Sequence, residues 1–225
     1  MASFSNKINR LNAYYQFIHP YFPILPPASD LPCPDSPLEI DQPPEEEVHL
    51  LYRPKSPLSL AISSVLALIP HPKDTAATSA ASVLRRRAYA NKLAQLANAE
   101  VEDDCELFSS SVDPAQALSG GLPSVDREPF HNQTPVELES ILTLLVLSVY
   151  EYAQRGNLLK MKSRASQALG IALGKSLHSL GKEEDEFTEA KRRAWWMTVC
   201  VECYDCIVSR ALTVTVLLCP PMLHC

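Results

Sequence analysis

The sequence predicts an all-α protein, an irregular helical bundle or superhelix with long loop insertions. Three observations lead there. Thirteen of the 19 prolines precede Lys73 and none falls between 136 and 219. Proline removes a helix donor and clashes with the preceding turn, so long helices belong to the second half of the chain. Apolar residues in that half recur at spacings of three and four, the period of one helical face. No series of alternating strands separated by hairpin turns occurs; the one strand-like run is 212–218.

Composition fits this class and excludes others. A chain of 225 residues suits one domain with long loops. With 46% hydrophobic and 20% charged residues, wholesale disorder is not expected. Acids outnumber bases 26 to 20, for a net charge of -6, which is wrong for a stand-alone nucleic-acid binder. The first ten residues carry no apolar signal segment, and no run reaches the roughly 18 apolar residues of a membrane span. Seven cysteines, an odd number without framework spacing, argue for a reducing compartment. The sequon Asn132-Gln133-Thr134 has no meaning in that setting.

The elements follow in order. Phe4, Ile8, Leu11, Tyr15 and Ile18 share one helical face, with Ser5 or Asn6 as cap and Pro20 as stop. Residues 21–27 form an apolar, proline-broken arm, and the Pro- and Glu-rich stretch 28–55 reads as a loop or disordered link. Ser56 caps a second helix with Pro57 at its first position, deeply buried and running to Ile69. Residues 76–99 are rich in strong helix formers, whereas 100–130 read as loop. Thr134-Pro135-Val136-Glu137 has the form of a capping box. The helix it opens carries the stripe Leu138, Ile141, Leu142, Leu145 and Val149 and stops at Gly156. A further helix spans 158–180 and closes at Gly181; acidic residues 183–186 then favour the start of a last helix over 188–209.

The sequence carries few residues arranged for chemistry. Cys200, Cys203 and Cys206, followed by Cys219, resemble an iron–sulfur run, but the fourth spacing is wrong and helical packing into the core is the preferred reading over a metal site. Asp103, Asp104 and Glu106 could suggest a magnesium motif; they read as a solvated acidic loop. Gly120-Gly121 are no phosphate loop, and neither a nucleophile elbow nor a zinc-protease motif is present. His19 is a helix stop rather than a base. The basic runs 85–87 and 191–193 read as solvated stripes, with nuclear import or phosphate contact as the sharper alternative. Trp195 and Trp196 read as core anchors. No catalytic, cofactor-binding or metal-binding residue is assigned, and a DNA-binding residue cannot be named.

Three segments together resemble one family. Residues 11–25, LNAYYQFIHPYFPIL, resemble the opening helix and H-P-x-F-P-I-L arm of the fungal-specific transcription factor domain. Residues 144–152, LLVLSVYEY, with Gly156-Asn157 and Ala168-Leu169-Gly170, resemble its central helix pair. Residues 189–196, EAKRRAWW, resemble its E-A-x-R-R-x-W-W helix. This domain is the middle homology region of fungal binuclear zinc-cluster regulators of the xylanolytic-activator type.

The resemblance implies a nuclear regulator of RNA polymerase II target genes that is not an enzyme. It divides the chain into an N-terminal helix and arm at 1–25, a loop at 26–55, a helical regulatory domain at 56–210 with a loop at about 100–133, and an atypical apolar tail at 211–225. Zinc is expected in full-length members, but the six-cysteine cluster is absent here, so DNA is expected only through a partner or a missing module. Other regulators are the expected partners, with self-association as an option and no membrane. The uncharged, β-branched tail is read as a C-terminal truncation and as aggregation-prone. The alternatives are an interaction scaffold or inhibitor without its own DNA binding and, behind it, an all-α enzyme.

Overall fold

One helix organises the core. In a computed structural model that describes residues 7–28, 56–70, 74–109, 127–180 and 185–218, six α-helices occur and no strand is found among the described residues. They are α1 (Lys7–Phe17), α2 (Pro57–Leu66), α3 (Ala80–Ser109), α4 (Val136–Arg155), α5 (Leu158–Gly174) and α6 (Thr188–Leu218), with a single 3-10 turn at Leu177–Ser179. The fold is all-α. Helix α4 lies between two pairs, α2 with α3 and α5 with α6, while α1 packs on α2. Its predicted apolar stripe is too narrow a description: almost every residue from Leu138 to Glu151 is buried, and Val149 alone turns outward, 39% exposed. A helix packed on two sides has no solvent face to spare.

Helix α2 is buried all round, as its sequence predicts. The Ser56 side chain accepts the Ser59 amide at 3.2 Å and Pro57 opens the first turn. The regular helix stops at Leu66, three residues short of the predicted end; Leu68 and Ile69 close tighter i→i+3 bonds before Pro70.

The opening segment folds around Tyr14 rather than Tyr15. Tyr14 is fully buried; its hydroxyl accepts from the Leu25 amide at 3.1 Å, donates to the Phe22 carbonyl at 3.2 Å and lies 3.1 Å from His19 Nδ1. The proline-broken arm is thereby folded back, and Ile24 and Leu25 enter the core. Helix α1 ends at Phe17 and His19 lies in the following turn; Phe4, Ser5 and Asn6 lie outside the described residues.

At four other places tertiary structure overrides the sequence expectation. Residues 100–109 are not loop but the last turns of α3, because Val101 and Asp104 face the core and Asp104 finds a cation there. The capping box at Thr134 does not form. Pro135 occupies the cap position without a side-chain bond, and Thr134 is buried, its amide bonded to the His131 carbonyl at 2.9 Å. Helix α5 ends at Gly174, not at 180, and Ser176 takes the left-handed conformation at φ 54° before the 3-10 turn. Gly181 lies outside the described residues. The strand-like run 212–218 continues α6. Strand propensity describes fit to a pleated surface, and no sheet among the described residues offers one.

The reversal between α4 and α5 is as expected. Gly156 sits at φ 61°, and the amides of Gly156 and Asn157 bond back to Tyr152 and Glu151, both at 3.0 Å. Asn157 then caps α5 by accepting the Lys160 amide at 3.0 Å. At the start of α6 Asp185 accepts from the Phe187 amide and Thr188 hydroxyl and pairs with Lys191; Glu183 and Glu184 lie outside the described residues. These donors hold the exposed Asp185 carboxyl below its usual range.

Candidate functional site

Helices α3 and α5 flank α4 without packing on each other, which leaves a recess over α4. It measures about 320 Å³ and is partly open to solvent. Its floor is Leu144, one wall is Asn98, Val101, Glu102 and Cys105 of α3, and the other is Gln167, Gly170 and Ile171 of α5. The lining is mostly apolar, with Asn98, Glu102 and Gln167 as its polar side chains. Gly170 shapes it directly, since a Cβ built there meets nothing within 4 Å. A side chain there would enter open space at the edge of the recess, not a close helix contact.

Polar function in the recess is sparse. Asn98 donates to Glu102 at 2.6 Å, while its buried Oδ1 has no partner among the described residues. Cys105 is half-buried; burial first, then Asp104, push its thiol above the usual range, with Lys175 opposing. It is a neutral thiol at pH 7, not an activated nucleophile.

Asp104, next to Cys105 on α3, belongs to a buried ionic knot that sequence reading missed. Asp104, taken as part of a solvated acidic loop, is on α3 and 3% exposed. Arg127 meets it with two parallel bonds, Nη1 to Oδ1 at 2.7 Å and Nη2 to Oδ2 at 2.8 Å. Arg127 Nε donates to Glu139 Oε2 at 3.2 Å, the Ser140 hydroxyl donates to Asp104 at 2.7 Å, and the Phe130 amide donates to Glu139 Oε1 at 2.6 Å. The flat guanidinium matches carboxylate geometry at both edges. Burial alone would lower the Arg127 pKa, but the Asp104 bond and the two carboxylates outweigh it and the group stays charged. Burial raises the Glu139 carboxyl above its usual value, against the Phe130 amide, Arg127 and Ser56. Asp103 and Glu106, the other members of the acidic run, are exposed. The knot fastens the segment before α4 to α3, and Tyr15 fastens the arm to the same segment through Pro26 (2.6 Å) and His131 (3.2 Å).

The remaining candidates scatter. Arg85 and Arg87 are exposed; Arg86 is tied to the Ala77 carbonyl at 2.7 Å. Arg192 is exposed, while Arg193 pairs with Glu189 at 2.9 Å. Trp195 packs on the core, but Trp196 is 64% exposed and so is not an anchor. Cys200 and Cys203 are exposed rather than packed, because they lie across the helix from Ala194, Thr198 and Val201, which are buried. The side chain of Cys206 and all of Cys219 lie outside the described residues. No group of three metal-binding side chains gathers among the described residues, and no described helix is long and apolar enough to cross a membrane.

Fold and recess thus define an all-α protein with a mostly apolar groove and a buried charge knot. No family model, no curated protein and no solved structure matches the chain.

Proposed function

We propose that the chain is a regulatory region of a fungal-type transcription regulator, in which the α3/α4/α5 recess holds a small, largely apolar effector. One observation carries the reading. The three segments that resemble the fungal-specific transcription factor domain, the first more than a hundred residues from the other two, meet in a single core. Tyr14 and Leu25 of the first, Leu144 to Leu147 of the second, and Ala190 and Ala194 of the third belong to one buried cluster. Arg193 of the third also lies close enough to affect Tyr14, Tyr15 and His19 of the first electrostatically.

The recess suits the role of a sensor. About 320 Å³ is at the lower end of ligand-pocket sizes. Its apolar floor excludes a highly charged ligand, and Asn98 Oδ1 offers one acceptor to orient a donor. An effector bridging α3 and α5 would stabilise the arrangement in which both flank α4. On this reading the chain acts in the nucleus without catalysis and reaches DNA through a partner or a separate module.

The test is a reporter assay. The whole chain is fused to an unrelated DNA-binding module, and reporter output is measured beside the module alone, with a panel of small apolar effectors. The expected result is a change in output that an effector modulates and that Gly170→Leu, which fills the recess, abolishes. A fusion indistinguishable from the module alone under every effector refutes the proposal. The scaffold alternative has support in the exposed Trp196 and Tyr204 of α6. It predicts an output change insensitive to Gly170→Leu.

A further inference from the structure

The last helix carries chemistry that the regulator reading does not use. Free cysteine is among the most buried residue types, yet Cys200 and Cys203 are both exposed and both free. They stand three residues apart within α6, well inside its bounds. Side chains at that spacing are neighbours on a helix surface, with Cβ atoms about 5–6 Å apart. A disulfide needs Cβ atoms only about 3.5–4.5 Å apart. An undistorted helix therefore holds these sulfurs near one another but unbonded. One atom bound to both fits the gap: two thiolates each about 2.3 Å from one centre lie at most about 4.6 Å apart, which the two Cβ–S bonds can span.

We propose that Cys200 and Cys203 form a two-thiol site for a soft, thiophilic ion or trivalent arsenical. Thiolates select soft centres. Two thiolates suffice for centres content with two sulfurs, whereas zinc needs four ligands. Cys105 is no rival, being half-buried in the recess with its thiol pushed up by burial. Trp196 stands four residues before Cys200 and is exposed, so it reports on occupancy. The site goes beyond the regulatory reading and does not depend on it.

Phenylarsine oxide is the probe. Its arsenic gains two As–S bonds and loses its oxygen, which leaves as water with the two thiol protons; arsenic stays trivalent and nothing is oxidised or reduced. The full, reduced chain is incubated with the probe in excess glutathione and followed by intact mass and tryptophan emission. The expected product carries one arsenical less one water, changes the Trp emission, survives glutathione and is stripped by a dithiol. Cys200→Ser or Cys203→Ser should weaken retention by about 100-fold or more, the loss expected when a chelate becomes a single attachment. Cys105→Ser and Cys206→Ser should retain the adduct. Far-UV circular dichroism checks each variant. The wild-type adduct is also digested with trypsin, and the arsenical should map to the peptide cut after Arg193 and Arg210. A glutathione-labile adduct, an adduct persisting in the Cys200→Ser/Cys203→Ser double variant, loss in Cys206→Ser, or arsenic on another peptide each overturns the site.

Discussion

Replacing Arg127 by Met tests the ionic knot most directly. Met matches the apolar stem of Arg but brings no charge and no donor. The side chains of Arg127, Asp104 and Glu139 are 7%, 4% and 0% exposed, so water cannot take over the guanidinium's role. Three N–H bonds disappear and two carboxylates are left facing each other, with the Ser140 and Ser56 hydroxyls and the Phe130 amide as the remaining donors. Breaking one partner out of a buried ion pair costs about 3–5 kcal/mol. For a chain of this size each kcal/mol lowers Tm by about 2–4 °C. The loss is therefore roughly 6–20 °C, a large part of a typical stability of about 5–15 kcal/mol. Thermal unfolding followed by circular dichroism measures it. A drop of under 2 °C would mean that the segment carrying Arg127 does not seal the carboxylates from water.

The same reasoning fixes the sign of the pH response. Glu139 has a raised folded-state pKa, so the folded chain binds a proton that the unfolded chain has already released. Its contribution is greatest below the unfolded value of 4.5 and fades as pH rises through the raised folded value. Arg127→Met raises that folded value further by removing a cation. The variant should then recover stability on acidification from pH 7 towards 5. Adding Glu139→Gln should recover part of the loss at pH 7, because the amide oxygen still accepts the Phe130 amide without a charge. No recovery by either route would show that the cost lies in packing rather than in charge.

Four further outcomes are expected. Gly156→Ala places a Cβ in a left-handed conformation and should cost about 1–2 kcal/mol by urea unfolding, although the site has room for the methyl; a neutral result would argue against this reversal. Ser56→Ala removes the α2 cap and a partner of Glu139, for about 1–2 kcal/mol, whereas an unchanged denaturation midpoint would mean that water replaces the cap. Gly170→Ala should stabilise by about 0.5–1 kcal/mol, since it gains helix propensity and meets no neighbour; destabilisation would mean that the recess is closed in solution. His19 is held below its usual pKa by burial and then by Arg193. Its contribution is present above 6.5 and fades as pH falls through the lowered value, opposite in sign to Glu139, and an NMR titration placing His19 at or above 6.5 contradicts it.

Local chemistry made most of the fold legible. Ser56-Pro57, Gly156-Asn157 and the acidic start of α6 act within a few residues, through caps and φ preferences that the chain carries into any context. The all-α class follows from the same source, the proline-free second half and its helical period. Tertiary structure decided the features that rest on distant partners. Asp104 looks like a solvated acid until Arg127, 23 residues away, comes to it; that pairing also continues α3 through a stretch whose composition reads as loop. The Cys200–Cys203 edge of α6 carries no polar mark that separates it from the Ala194–Val201 edge, which is buried. Which edge faces water is set by where α4 and α5 lie. The recess is less legible still, because Asn98, Leu144 and Gly170 acquire a common role only when α3 and α5 stand apart over α4. A single sequence encodes such a gap only through the sizes of side chains that meet across it, and size alone does not say which residues meet.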